Sequence, residues 1–194
     1  MIGKSLYAYY CSNKNDNEGD TNHGFKDAYF FMKQIGILSD THGFLNPALF
    51  KFFENCDEIW HAGDWGPNVA EQLLPFKPLR GVYGNIDDQK IRSEFPEILS
   101  FDCEGVNVFM IHIAGYPGHY APNFKKITKN YSPQLLICGH SHILRVMKDP
   151  TFNWLLLNPG ACGNHGFQKV NTAVRLKIDQ GKMLEMEVWE QKRG

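Results

Sequence analysis

From residue 34 onward, short apolar runs alternate with amphipathic or turn-rich stretches. Residues 34–39 (QIGILS), 58–61 (EIWH) and 79–83 (LRGVY) are short and rich in β-branched or aromatic side chains, as buried strands are. Between them, 46–55 reads as a helix with Pro47 in its first turn, and 67–74 as a second helix. This β-α-β-α-β order predicts a largely parallel sheet with right-handed crossovers. Residues 98–101 and 106–111 flank Glu104-Gly105 and read as a hairpin. A helix over 123–130 and a strand over 134–138 follow. The last third changes character. Residues 143–147, 154–157, 170–178 and 183–189 are all strand-like, with turns at Asp149-Pro150 and Gln180-Gly181. The chain thus opens α/β and closes in strands. Two sheets face to face, with helices outside, accommodate both halves.

Residues 1–32 stand apart. Ser12 to Gly24 (SNKNDNEGDTNHG) is polar, rich in Gly, Asn and Asp, and without periodicity. The expected organisation is an appendage over 1–32, loop or disordered, and one domain over 33–194. The length of 194 residues suits a single domain with a proper core.

Chemistry concentrates where the predicted strands end. Five blocks follow apolar runs: Asp40-Thr41-His42, Gly63-Asp64, Gly84-Asn85, His112 and Gly139-His140-Ser141-His142. The steps between them are 24, 21, 27 and 28 residues. One strand plus one connection takes roughly 20–30 residues, since a βαβ unit needs about 30 or more. The spacing therefore delivers each block to the same sheet edge. Carboxylate, imidazole and amide oxygen suit borderline divalent metals. Residues two apart on an extended segment share a face, so Asp40 and His42 can aim at one point. The imidazoles of His140 and His142 can serve one metal or two neighbouring ones. Each block alone is a common turn; the five in series predict a metal centre. His61 reads as a core or supporting group, and Asp87 as a partner that fixes the Gly84-Asn85 loop.

Bulk properties narrow the class. A net charge of −1 gives no broad basic face for nucleic acid. Five scattered cysteines, never in a Cys-x-x-Cys pair, argue against a disulfide framework and for a reducing, cytoplasmic setting. No apolar run approaches the roughly 18–20 residues that span a bilayer.

The order Asp-x-His, Gly-Asp, Gly-Asn, His, Gly-His-x-His resembles the calcineurin-like metallophosphoesterase superfamily. Ile35 to Gly43 and Leu157-Asn158-Pro159-Gly160 are similar to its small single-domain phosphodiesterase branch. The resemblance covers about residues 33–190. It implies a four-layer αββα sandwich of two mixed sheets flanked by helices, holding two divalent cations. It implies that Asp40, His42 and His142 hold one ion, that Asn85, His112 and His140 hold the other, and that Asp64 bridges them. Mn²⁺ is the expected metal, with Fe, Zn or Ni as alternatives. The implied reaction is hydrolysis of a small phosphodiester by a metal-bridging hydroxide. A phosphomonoesterase of the same fold, or a non-catalytic metal-binding scaffold like the retromer subunit, is the alternative. A homodimer is expected.

Three departures stand out. The usual His-Glu after Gly-Asn is replaced by Ile86-Asp87, which removes a general acid. Ile113 replaces a glycine after His112. The stretch 161–167 lacks a Ser and a Pro-Arg pair, and with them a cationic phosphate contact; His119 and His165 are the substitutes to weigh against plain surface histidines.

Overall fold

The computed structural model describes residues 32–128 and 131–193. The expected appendage lies outside them except for Met32, as do the last two positions of the helix expected over 123–130. In chain order the elements are β1 (Lys33–Leu38), α1 (Ala48–Phe52), β2 (Glu58–His61), α2 (Val69–Leu73), β3 (Leu79–Gly81), α3 (Gln89–Glu94), β4 (Ile98–Cys103) and β5 (Val106–Ile111). Then come β6 (Gly115–Tyr116), β7 (His119–Tyr120), α4 (Pro122–Ile127), β8 (Leu135–Ile137), β9 (Leu144–Lys148), β10 (Leu155–Pro159), β11 (Val170–Asp179) and β12 (Lys182–Lys192).

Two five-stranded sheets form, ordered β12-β11-β1-β2-β3 and β4-β5-β8-β10-β9. The opening unit is parallel as expected: β1 pairs with β2, and β2 with β3. The whole sheet is mixed, because β11 joins β1 antiparallel and β12 joins β11 antiparallel. In the second sheet β5, β8 and β10 run parallel, and β4 and β9 close its edges antiparallel.

Period-two alternation sorts the side chains into layers. Ile35, Ile37, Trp60, Val174 and Leu176 of one sheet pack against Val108, Met110, Leu135, Ile137 and Leu157 of the other. The intervening positions point outward. Leu38 and Ile59 meet Leu49 and Phe53 of the α1 region and Val69 of α2. Phe109, Leu136 and Leu156 meet Phe124 of α4. The result is the αββα sandwich.

The helices are shorter than expected. α1 and α2 carry no side-chain cap, and the residue before α2, Asn68, is left-handed with φ 63°. Among the described residues only α3 is capped by a side chain, Asp88 accepting from the Ile91 N–H at 3.0 Å. That helix and the β6-β7 hairpin were not anticipated. The Glu104-Gly105 turn is as expected: both residues have positive φ, 49° and 82°, the hairpin conformation that matches strand twist.

Candidate metal centre

Parallel β1, β2 and β3 leave at one edge, and their loops continue side by side. The Asp40 N–H donates to the Gly63 carbonyl at 3.0 Å, that of His42 to Asp64 at 3.1 Å, and that of Gly43 to Trp65 at 2.7 Å. A third loop joins when the Gly163 N–H donates to the Asp40 carbonyl at 3.1 Å. From the second sheet, the Gly139 N–H donates to the His112 carbonyl at 3.0 Å. These main-chain bonds gather five segments into two groups, and the His140 N–H on the Asp40 carboxylate and His112 Nδ1 on the Ala62 carbonyl join the groups.

Two glycines let them close. A Cβ at Gly84 would overlap the Asp64 carboxylate, and one at Gly139 would overlap Ser39 Oγ beside Asp40.

The convergence yields two clusters: Asp40, His42 and His142, and Asp64, His112 and His140, each with ligand atoms within 4.8 Å of one another. Asn85 joins the second, its Oδ1 3.0 Å from His140 Nδ1. All seven predicted residues therefore sit at one place. Asp64 faces both clusters, with Oδ1 3.3 Å from His112 Nε2 and Oδ2 4.0 Å from His42 Nε2. His142 Nε2 lies 3.3 Å from Asp40 Oδ1 and 3.2 Å from His42 Nε2.

Three features fit cations. Asp40 and Asp64 are 0% and 2% exposed, which is costly for carboxylates without positive partners. His112 Nδ1 donates to the Ala62 carbonyl at 2.8 Å, so in the neutral ring Nε2 carries the lone pair that a cation would take. That Nε2 is buried without a hydrogen-bond partner. The donor set, imidazole nitrogen with carboxylate and amide oxygen, suits borderline divalent ions.

Backbone strain concentrates here too. Asp40, His42, Asp64, His140 and His142 have φ between 48° and 69°, five of the nine non-glycine residues with positive φ among those described. Such conformations cost on the order of 1–3 kcal/mol each and gather at functional sites.

Burial favours neutral imidazoles. It prevails at His61, His42 and His140, taking all three below the usual histidine range, His61 well below. At His142 the hydrogen bond to Asp40 wins and raises the pKa. At His112 burial pulls down, but Asp64 and Asp40 outweigh it and the pKa rises. Burial pushes Asp64 up, yet His112, the Ile86 N–H and His42 together hold it below the usual carboxylate range.

The supporting groups explain how the loops stay rigid. Asp87 accepts from the N–H groups of Asp64, Trp65, Gly66 and Gly84 at 2.7–3.2 Å, so it fixes the loop rather than joining either cluster. His61 accepts the Gly63 N–H on Nδ1 at 3.1 Å and meets Thr41 Oγ1 at 2.9 Å through Nε2. Asn158, from the Leu-Asn-Pro-Gly block, donates to the Gly139 carbonyl at 2.7 Å and to Ser141 Oγ at 3.1 Å, pinning the bend that carries His140 and His142.

Several supporting residues had no signal in the sequence. Ser39 Oγ donates to Asp40 Oδ2 at 2.7 Å. Arg92 donates to the carbonyls of Asp87, Gly84 and Asn85. Arg193 donates to the carbonyls of Gly163 and Gly166 and holds the 163–166 loop. In that loop the ring of His165 lies 4.8 Å from that of His42, whereas His119 packs on Tyr116.

Residues 32–181 match the family model of the calcineurin-like phosphoesterase superfamily domain. The chain belongs to that superfamily. A probable metallophosphoesterase of Methanothermobacter thermautotrophicus is 31% identical over 135 residues, covering 66% of this chain and 76% of the relative. Among solved structures, an archaeal phosphodiesterase superposes with a TM-score of 0.60 at 21% identity, over 80% of this chain and 99% of that one. Wild-type Vps29 of Entamoeba histolytica, complexed with Zn²⁺, superposes with a TM-score of 0.63 at 13% identity, over 82% and 98%. At these identities the two structures share the calcineurin-like fold with this chain; its chemistry rests on its own residues.

Proposed function

We propose that this metallophosphoesterase is a phosphodiesterase using two divalent cations. Asp40, His42 and His142 would hold one, and Asn85, His112 and His140 the other, with Asp64 shared. The observation that carries this reading is the position of Asp64 between two ligand clusters, beside a buried His112 Nε2 that has no hydrogen-bond partner. Such a pair supplies a nucleophile at neutral pH and neutralises charge on the phosphoryl oxygens. Manganese, which suits carboxylate and amide oxygens, is the proposed metal, with Fe, Zn or Ni, which suit imidazole, as alternatives.

The protein's own groups hold and orient. Ser39 Oγ–H and the His140 N–H fix the Asp40 carboxylate, and the Ala62 carbonyl fixes the His112 tautomer. Ile86, 48% exposed beside Asn85, has no proton to give. The departing oxygen takes its proton from water, which favours leaving groups of low pKa. A diester is preferred to a monoester on charge. It brings one negative charge, and Arg92 and Arg193, which brace the site's loops, donate to main-chain carbonyls there. Four buried free cysteines, Cys56, Cys103, Cys138 and Cys162, support a reducing cytoplasmic setting. Among the described residues no helix is long and apolar enough to cross a membrane.

The test is hydrolysis of bis(4-nitrophenyl) phosphate and 4-nitrophenyl phosphate by Mn²⁺-loaded protein. Metal-dependent turnover with the diester ahead is expected. Monoester preference, or turnover indifferent to chelator, would overturn it.

A further inference from the structure

A cavity of about 440 Å³ opens beside the second ligand cluster, with Asn85 and His112 in its lining. Tyr83, Arg92 and Glu97 contribute one part of its wall; Ile113, Ala121 and Ile127 contribute another. The wall's two ionic groups, Arg92 and Glu97, are of opposite sign and are both held by hydrogen bonds. Arg92 stacks over the Tyr83 ring at 4.4 Å while its N–H groups serve main-chain carbonyls, and the Tyr83 hydroxyl donates to Glu97 at 3.1 Å. The lining therefore offers a flat π-stacked surface and aliphatic side chains, with one positive and one negative group and so no net charge of its own. Ile113 contributes an apolar wall, 39% exposed, immediately after a proposed ligand.

We propose that this cavity receives one ester substituent of the substrate, and that the site selects phosphodiesters bearing an uncharged planar ring there. The inference rests on the phosphodiesterase reading and adds its substrate class. The volume exceeds what a methyl group fills and lies within the range of small-molecule pockets. A second phosphate or a carboxylate in the cavity would meet Glu97 as well as Arg92, so the wall offers little net charge to offset its desolvation. A ring gains from burial against the Tyr83 and Ile113 walls.

The test reads binding, not turnover. Mn²⁺-loaded protein is titrated calorimetrically with O-methyl phenylphosphonate and O-methyl methylphosphonate, monoanionic diester mimics whose P–C bond survives hydrolysis. The phenyl compound should bind on the order of tenfold more tightly, as its extra buried apolar area implies. Ile113→Asn, which strips an apolar wall, and Ala121→Leu, which narrows the cavity, should each cut that ratio at least threefold. Equal binding of the two phosphonates, or a ratio untouched in both folded variants, overturns the cavity proposal and leaves the phosphodiesterase reading standing. Binding of neither overturns both.

Discussion

Ile35, Ile37, Trp60, Val108 and Ile137 lie fully or almost fully buried between the sheets, on regular strand backbone. Only a few residues further along the same strands, Asp40, His42, Asp64, His140 and His142 adopt left-handed backbone and bring carboxylates and imidazoles together. The first region is optimised for stability and has no evident chemistry. The second is strained, polar and partly unsatisfied, and gives up stability for a geometry that cations can use. The difference teaches how the fold divides labour. Strand interiors set the register rigidly, and that rigidity holds the strained ends in place.

Substitutions in the two regions should separate stability from function. Asp64→Asn should leave the fold intact and lower diester hydrolysis on the order of 10³-fold, because a shared carboxylate loses its charge. Steady-state kinetics beside a circular-dichroism melt checks it; a near-normal rate would dissolve the contrast. Ile37→Ala, in the sheet interface, should cost about 2–5 kcal/mol in urea unfolding through loss of packing and a residual cavity. Its kcat in the folded fraction should stay within about twofold, since Ile37 belongs to the apolar cluster between the sheets. A collapse of kcat without loss of stability would show that the regions are not separable.

How much of this was legible beforehand follows from the same division. The strands over 34–39 and 106–111 were legible as short apolar runs rich in β-branched side chains. The seven proposed ligands were visible because they follow those strands, where a polar residue after an apolar run stands out. Of the locks, Asp87 was legible, since a carboxylate two positions after Asn85 reads as the partner that fixes its loop, and it accepts the Gly84 N–H. Arg92 was not: it reaches the Asn85 carbonyl from α3, a helix of six residues with little periodicity to detect. Asn158 acts on a bend about twenty positions earlier in the chain. The left-handed backbone at His42 and His140 carries only a weak signature, because histidine is enriched at positive φ but most histidines are not there. The hairpin of β6 and β7 hid in a Gly/Pro-rich stretch whose strands are two residues each.

A pH series sharpens the comparison at the seam between the regions. His61 is fully buried and kept neutral, its pKa well below the unfolded value near 6.5. Above pH 6.5 neither folded nor unfolded chain binds that proton, and the fold keeps its full stability. As pH falls below 6.5 the unfolded chain gains a proton the fold refuses, so stability drops by up to about 1.4 kcal/mol per unit. His61→Gln should flatten the difference in urea midpoints between pH 8 and 5, measured in chelator. An unchanged slope would show that His61 does not report on the buried seam. The smallest effect tests strain: without metal, His140→Gly should be more stable than His140→Ala by about 1 kcal/mol, because glycine accepts φ 69° freely. The reverse order would mean that the edge is not strained there.

Anomalous scattering from crystals of the Mn²⁺-loaded protein tests the central claim most directly. The account predicts two peaks about 3.5–4 Å apart, one among Asp40, His42 and His142 and the other among Asn85, His112 and His140, with Asp64 between them. A single peak, or none within reach of these seven side chains, would contradict it.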